Sequence, residues 1–127
     1  MQNLYFFIAG ILTLFLGLAH SVLGELLLFR RLVKDQLPPI AGSKGFTLRT
    51  LRVTWHVPTI LAWGFGAILL SFSLLSFADN NLEFVKKAMA VSFLISSLIV
   101  LFGTKGKHPA WIVLLAIAVL TWLGFML

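Results

Sequence analysis

The sequence predicts an all-α integral membrane protein, an antiparallel four-helix bundle with short loops, and three observations carry that prediction. The 127 residues are 60% hydrophobic and only 11% charged, with a mean hydropathy of +1.03. A soluble domain typically has about 25% charged residues to cover its surface. Apolar runs of about 20 residues, the length that crosses roughly 30 Å of hydrocarbon, recur along the chain. In lipid every backbone polar group needs an internal partner, so short loops and helices make a bundle the economical architecture.

The first helix is expected over 4–29, apolar apart from Thr13, His20, Ser21 and Glu25. It lacks the basic start, short apolar stretch and small-residue cleavage site of a signal peptide, so it is expected to stay in the mature chain. The second is expected over 50–78, with Asp79 just beyond it. Pro58 lies in its first turns, where a missing N–H frees a carbonyl near His56 and favours a kink. The third, 84–103, has a short apolar core and borrows a turn from Phe84–Lys87, whose lysines can snorkel to the interface. The fourth, 109–126, opens with Pro109, well placed in a first helical turn. All four belong to one transmembrane domain over 1–127, with no room for a soluble one. The longest connection runs from about Arg30 to Lys44, where Pro38-Pro39 and Gly42-Ser43-Lys44-Gly45 break any helix.

Charge gives orientation. The net charge is +6 and the pI about 10.4, but the basic residues are not spread over a soluble face, which excludes nucleic acid as the partner. Arg30, Arg31, Lys34, Lys44, Arg49 and Arg52 lie in or beside the first loop, and Lys105 and Lys107 in the third. Only Lys86 and Lys87 fall on the other side. Basic loops stay in the cytoplasm, so the chain is expected in the cell membrane, multi-pass, with both termini non-cytoplasmic. The partners expected are membrane lipids, with anionic headgroups at the first loop drawn by about 1 kcal/mol per basic residue. A homodimer or larger membrane complex is the other expectation. The absence of cysteine excludes disulfides and thiolate metal sites.

Ionisable residues within a span are costly and mark function. Here they are His20, Glu25, His56 and His108, and all are expected in the cytoplasmic half. Helical stepping puts His20 on a seam with Gly10, Thr13, Gly17 and Gly24, small residues that let helices approach closely. The second helix carries Arg49, Arg52, His56, Thr59, Trp63, Gly66 and Ser73 on one stripe. Ser92, Ser96 and Gly103 mark the third, and His108, Trp111, Leu115, Ala118 and Trp122 the fourth. These seams are expected to meet at one polar pocket. Glu25 lies about 140° around the helix from His20, so it is expected to reach His56 or Arg52 instead, or to rise to the interface.

Several chemistries use such a pocket. His20, Glu25 and His56, with His108 as a fourth ligand, offer the donors that suit a divalent metal ion. No His-x-x-x-His or Glu-x-x-His motif accompanies them. Haem b would take two histidines as axial ligands, with Arg49, Arg52 or Lys105 on the propionates and Trp63 packed against the ring. A quinone or isoprenoid would use the same groups. A small proton-linked transporter would need a polar path through both leaflets, yet the other half offers only Thr13, Ser73 and Thr121 on its seams. The alternative from another class is a non-catalytic scaffold or accessory subunit, its histidines making interhelical hydrogen bonds of about 0.6–2 kcal/mol. No Gly-x-Ser-x-Gly elbow or phosphate loop is present. Any catalysis would therefore be acid–base or metal chemistry by Glu25 and the histidines. The strings Ala19-His20-Ser21-Val22-Leu23-Gly24-Glu25 and Leu51-Arg52-Val53-Thr54-Trp55-His56 resemble those of small bacterial four-helix membrane proteins, a resemblance that implies no activity.

Overall fold

A computed structural model describes residues 2–74 and 82–126 of the chain. They form α1 (Gln2–Leu23), α2 (Lys44–Leu74), α3 (Glu83–Gly103) and α4 (Ala110–Met126). Three helical segments, Leu4–Phe29, Lys44–Leu74 and Glu83–Gly103, are long and apolar enough to cross a membrane. At 17 residues α4 is shorter, about 26 Å at 1.5 Å per residue.

Two boundaries differ from expectation. The first helix is α-helical only to Leu23, and Gly24–Phe29 continues it as a π turn. The Arg30 amide accordingly reaches back to the Glu25 carbonyl, five residues earlier. The second helix begins at Lys44 rather than 50, because the chain before it supplies a cap. Ser43 Oγ accepts the Phe46 amide at 3.2 Å. Thr47 Oγ1 donates to the Pro38 carbonyl at 2.7 Å and accepts the Ile40 amide at 2.8 Å, tying the proline turn onto the helix start. The expected end at 78 lies outside the described residues.

The helices run antiparallel in sequence. α1 packs between α2 and α4, and α3 packs on α4, whereas α2 and α3 make little backbone approach. Glycine explains the closeness of α1 and α2. A Cβ at Gly10 would lie 3.1 Å from the Gly66 carbonyl, and one at Gly66 3.2 Å from the Gly10 carbonyl. Gly17 faces Trp63, and Gly24 lies under Trp55. The seven-residue glycine seam therefore meets a single neighbour along its whole length.

The bundle's core sits where α1 and α3 begin and α2 and α4 end. Phe6, Ala9, Leu69, Phe72, Met89, Phe93, Ile117 and Ala118 form one buried cluster. Thr13 and Thr121 are fully buried beside it, each hydroxyl donating to a carbonyl four residues back at 2.7 Å. Returning the O–H to its own helix removes the cost of burying it unpaired. Lys86 closes this end, its ammonium 5.4 Å from the Phe6 ring centroid and 5.2 Å from that of Phe72. Cations favour the negative face of such rings.

Candidate functional site

At the opposite end of the bundle, α1 and α2 are joined by two polar arrangements on different sides of their contact. The first pairs His20 with Trp55. Their rings stack with centroids 4.5 Å apart and planes within 7°. Each ring donates to the other residue's backbone: His20 Nε2 to the Trp55 carbonyl at 3.0 Å, and Trp55 Nε1 to the His20 carbonyl at 3.1 Å. Only glycine fits at position 24, where a Cβ would lie 2.0 Å from Trp55 Nε1. The indole thus gives the His20 carbonyl an outside donor close to where the ladder changes from α to π.

The second arrangement is a chain of side-chain contacts. Glu25 Oε1 lies 3.0 Å from Arg52 Nε and 3.0 Å from His56 Nε2. His56 Nδ1 lies 2.7 Å from Ser21 Oγ, which in turn lies 2.7 Å from Thr59 Oγ1. An ionised carboxylate only accepts, so His56 donates from Nε2. With the ring neutral, Nδ1 then accepts from Ser21, and Ser21 accepts from Thr59. With the ring protonated at Nδ1, the bond to Ser21 reverses and the Ser21 hydroxyl hydrogen is released. Phe29 seats the cluster, with the Arg52 guanidinium 5.6 Å from its centroid and the His56 ring at 6.4 Å. Glu25, at about 140° from His20 on an α-helix, reaches both of the partners expected for it. The side chains of Glu25 and His56 remain 34% exposed, so this ion pair is only partly withdrawn from its surroundings.

Between α2 and α3 the bundle opens into an almost wholly apolar cleft of about 470 Å³. Leu16, Leu61, Phe65, Val100 and Leu114 line its body, and His20, Trp55, Thr104 and His108 line one end. Its serines make no demand on a ligand: Ser92 Oγ donates to the Ala88 carbonyl at 2.7 Å and Ser96 Oγ to that of Ser92 at 2.8 Å. An adjoining hollow of about 500 Å³ shares His20, Trp55, His108 and Ala110 and continues along Leu23, Gly24 and Leu27. His108 stands in the turn before α4, where its Nδ1 accepts the Ala110 amide at 3.2 Å. Lys105 and Gly106 make that turn with φ of 51° and 74°.

Comparison of the chain with protein-family models, curated proteins and solved structures finds no match.

The site's geometry divides the single pocket expected from sequence. His20 and His108 line the cleft, while His56, Glu25 and Arg52 form the separate chain. Among the described residues, no group of three His, Cys, Asp or Glu side chains is placed to hold a metal ion. His56 already uses both ring nitrogens, so it offers none to a haem iron without losing Ser21 or Glu25. Arg52, one of the groups expected on haem propionates, is paired with Glu25. Arg49 stands apart, beside Phe46, Thr50, Val53 and Thr54. Trp63 donates to the Leu14 carbonyl at 3.2 Å and packs on Gly17, so it ties helices together rather than walling the cleft. On α4 the cleft is lined by Ala110 and Leu114, not by the expected stripe through Trp111 and Leu115. Trp111 Nε1 instead donates to the Gly106 carbonyl at 3.3 Å.

Sequence reasoning passed over Ser21 and Trp55 as site residues. A signal for Ser21 was present: Ser21 and Glu25 are four apart on one helix, matching Arg52, His56 and Thr59 on the next. Trp55 reads as an interfacial aromatic, and nothing local distinguishes it from one.

Proposed function

We propose that this chain is an integral membrane protein that holds a lipid-soluble ligand with a small polar head in the cleft between α2 and α3. The head lies at His20 and His108, and the tail lies against Leu16, Leu61, Phe65 and Val100. The cleft is the observation that carries this reading. Its volume of about 470 Å³ falls in the range of small-molecule sites, about 300–1,000 Å³, and a few polar groups converge at one end of an apolar wall. It opens on the side where α2 and α3 do not pack closely, so a molecule dissolved in the bilayer has lateral access. An isoprenoid-like molecule, or a quinone in its reduced quinol form, suits such a site better than a bare metal ion, for which no ligand set is assembled among the described residues.

The Arg52–Glu25–His56–Ser21–Thr59 chain has the other role weighed for these residues, interhelical hydrogen bonding. Its groups satisfy one another, and it clips α1 to α2 beside the cleft. In the proposed orientation the cleft's histidine end faces the cytoplasm, with Arg30, Arg31, Lys34, Lys105 and Lys107 among anionic headgroups and both termini outside.

Photolabelling tests the binding reading. A long-chain alcohol carrying a mid-chain diazirine, added to the protein in lipid nanodiscs, is expected to label Leu61, Phe65, Ser92 and Ser96 saturably. Excess unlabelled alcohol should compete, and Ser96→Phe should block the labelling. Non-saturable labelling spread equally over outward residues such as Val53, Ile60 and Ile99 would sink the proposal. A C-terminal topology reporter tests orientation separately, a cytoplasmic signal being the adverse result.

A further inference from the structure

We infer that the head group taken by the cleft is a hydroxyl, one that donates to His20 Nδ1 and accepts from His108 Nε2–H; the inference rests on the binding reading above. Each histidine's tautomer is set by its protein contact. His20 Nε2 sits 3.0 Å from the Trp55 carbonyl, and a carbonyl can only accept. Nε2 therefore carries the proton, and Nδ1 of the neutral ring is an acceptor. His108 is held the other way round. Its Nδ1 receives the Ala110 amide at 3.2 Å, so this nitrogen is the bare one and Nε2 bears the hydrogen.

Both residues line the main cleft and the adjoining hollow, and among the described residues neither remaining nitrogen has a protein partner. The other polar side chains at this end are already engaged. Thr104 Oγ1 donates to the Val100 carbonyl at 2.7 Å and accepts the His108 amide at 3.3 Å. Trp55 Nε1 is taken by the His20 carbonyl. What remains is one acceptor and one donor. A ketone, a quinone or an ether satisfies only the donor and leaves His20 Nδ1 unpaired. A hydroxyl on a lipophilic alcohol, phenol or quinol satisfies both. Sites built to pair with a substrate hydroxyl discriminate strongly against analogues that lack it.

Three probes of one shape test this: 4-decylphenol, its methyl ether 4-decylanisole, and decylbenzene. Each is titrated into the protein in nanodiscs, with affinity expressed per mole fraction in the lipid and read from competition with the diazirine alcohol for the cleft. The phenol should bind about tenfold tighter than the ether, and the ether more tightly than the hydrocarbon, one hydrogen bond being lost at each step. In His20→Phe, which keeps a flat ring against Trp55, the phenol and ether should bind alike. Equal affinity of phenol and ether for the unmodified protein overturns the assignment whatever the variants do. So does a phenol preference that survives in His20→Phe. Equal binding that Ser96→Phe abolishes removes the hydroxyl but keeps the cleft. Binding of no probe, or binding indifferent to Ser96→Phe, overturns both.

Discussion

Where α1 begins and α2 ends, side chains from all four helices meet around Phe6, Leu69, Phe93 and Ile117, and the buried hydroxyls turn back onto their own helices. Where α1 ends and α2 begins, the helices are tied pairwise by polar groups, and α2 stands off from α3 across an apolar space. The two ends are built from similar residues, with phenylalanine, leucine and small side chains in both. They differ in what closes the fourth side. Phe65 of α2 and Phe93 of α3 are in edge-to-face contact at 6.0 Å. Beyond this contact, toward the histidines, α3 presents Ser96, Val100 and Thr104 to the cleft. In lipid, where apolar burial gives little net drive to helix association, tight packing and interhelical hydrogen bonds decide which seams close.

The sharpest way to break this contrast is to cut the same kind of side chain at each end. Ile117, fully buried, should lose about 2–5 kcal/mol as Ile117→Ala, because the void left is enclosed. Leu61 lines the existing cleft and is 60% exposed, so Leu61→Ala should cost under about 1 kcal/mol, the space being open already. Unfolding by SDS titration in mixed micelles measures both, and equal losses would erase the distinction. Gly24→Ala comes next. Its Cβ would meet Trp55 Nε1 at 2.0 Å, so the indole must move and release the His20 carbonyl. A cost of about 1–3 kcal/mol is expected. Shifted Trp55 emission should accompany it, read against the same change made in Trp55→Phe.

A smaller effect is expected for Glu25→Gln, about 1 kcal/mol, because its partners Arg52 and His56 are themselves part-exposed, at 47% and 34%. A double-mutant cycle with His56→Asn should show coupling of at least about 0.5 kcal/mol, and additive losses would deny that the chain acts as a unit. Smallest of all is the contrast between two neighbouring serines. Ser96 bonds only to its own helix, so Ser96→Ala should stay within about 0.5 kcal/mol of the unaltered protein. Ser97 is 1% exposed and donates to the Trp111 carbonyl of α4 at 2.8 Å, so Ser97→Ala should cost about 1 kcal/mol.

Much of the bundle was legible from residue pattern. The apolar runs located all four helices, and the spacing of Gly10, Gly17 and Gly24 marked the face of α1 that meets a neighbour. Helical geometry turned Glu25 off the face of His20 but left open whether it met α2 or rose to the interface. The division of the histidines was not legible. His20 and His56 stand at the same end, but the helix turns about 100° between Trp55 and His56. Trp55 consequently faces His20 and the cleft, whereas His56 faces Glu25 and Ser21. Which of two adjacent residues meets a given neighbour depends on interhelical register, and a periodic stripe leaves that open. The cap on α2 was hidden for a related reason, since Thr47 acts through Pro38 and Ile40 across a turn.

The π turn over Gly24–Phe29 is a wider loop of backbone than an α-helical turn, holding one residue more than the ladder requires. Deleting one residue between Leu26 and Leu28 would let the segment close as ordinary α-helix. Everything before it, including the stacked His20 and Trp55, would keep its place. Everything after it would keep its side of the bundle as well, because the residue removed is the one that the wide turn absorbs. Phe29 would stay beside Arg52 and His56. The same deletion made in the regular α-helical part of α1 would instead turn one flank by about 100°. The π turn is therefore the place in α1 where a single-residue change in length is most easily absorbed.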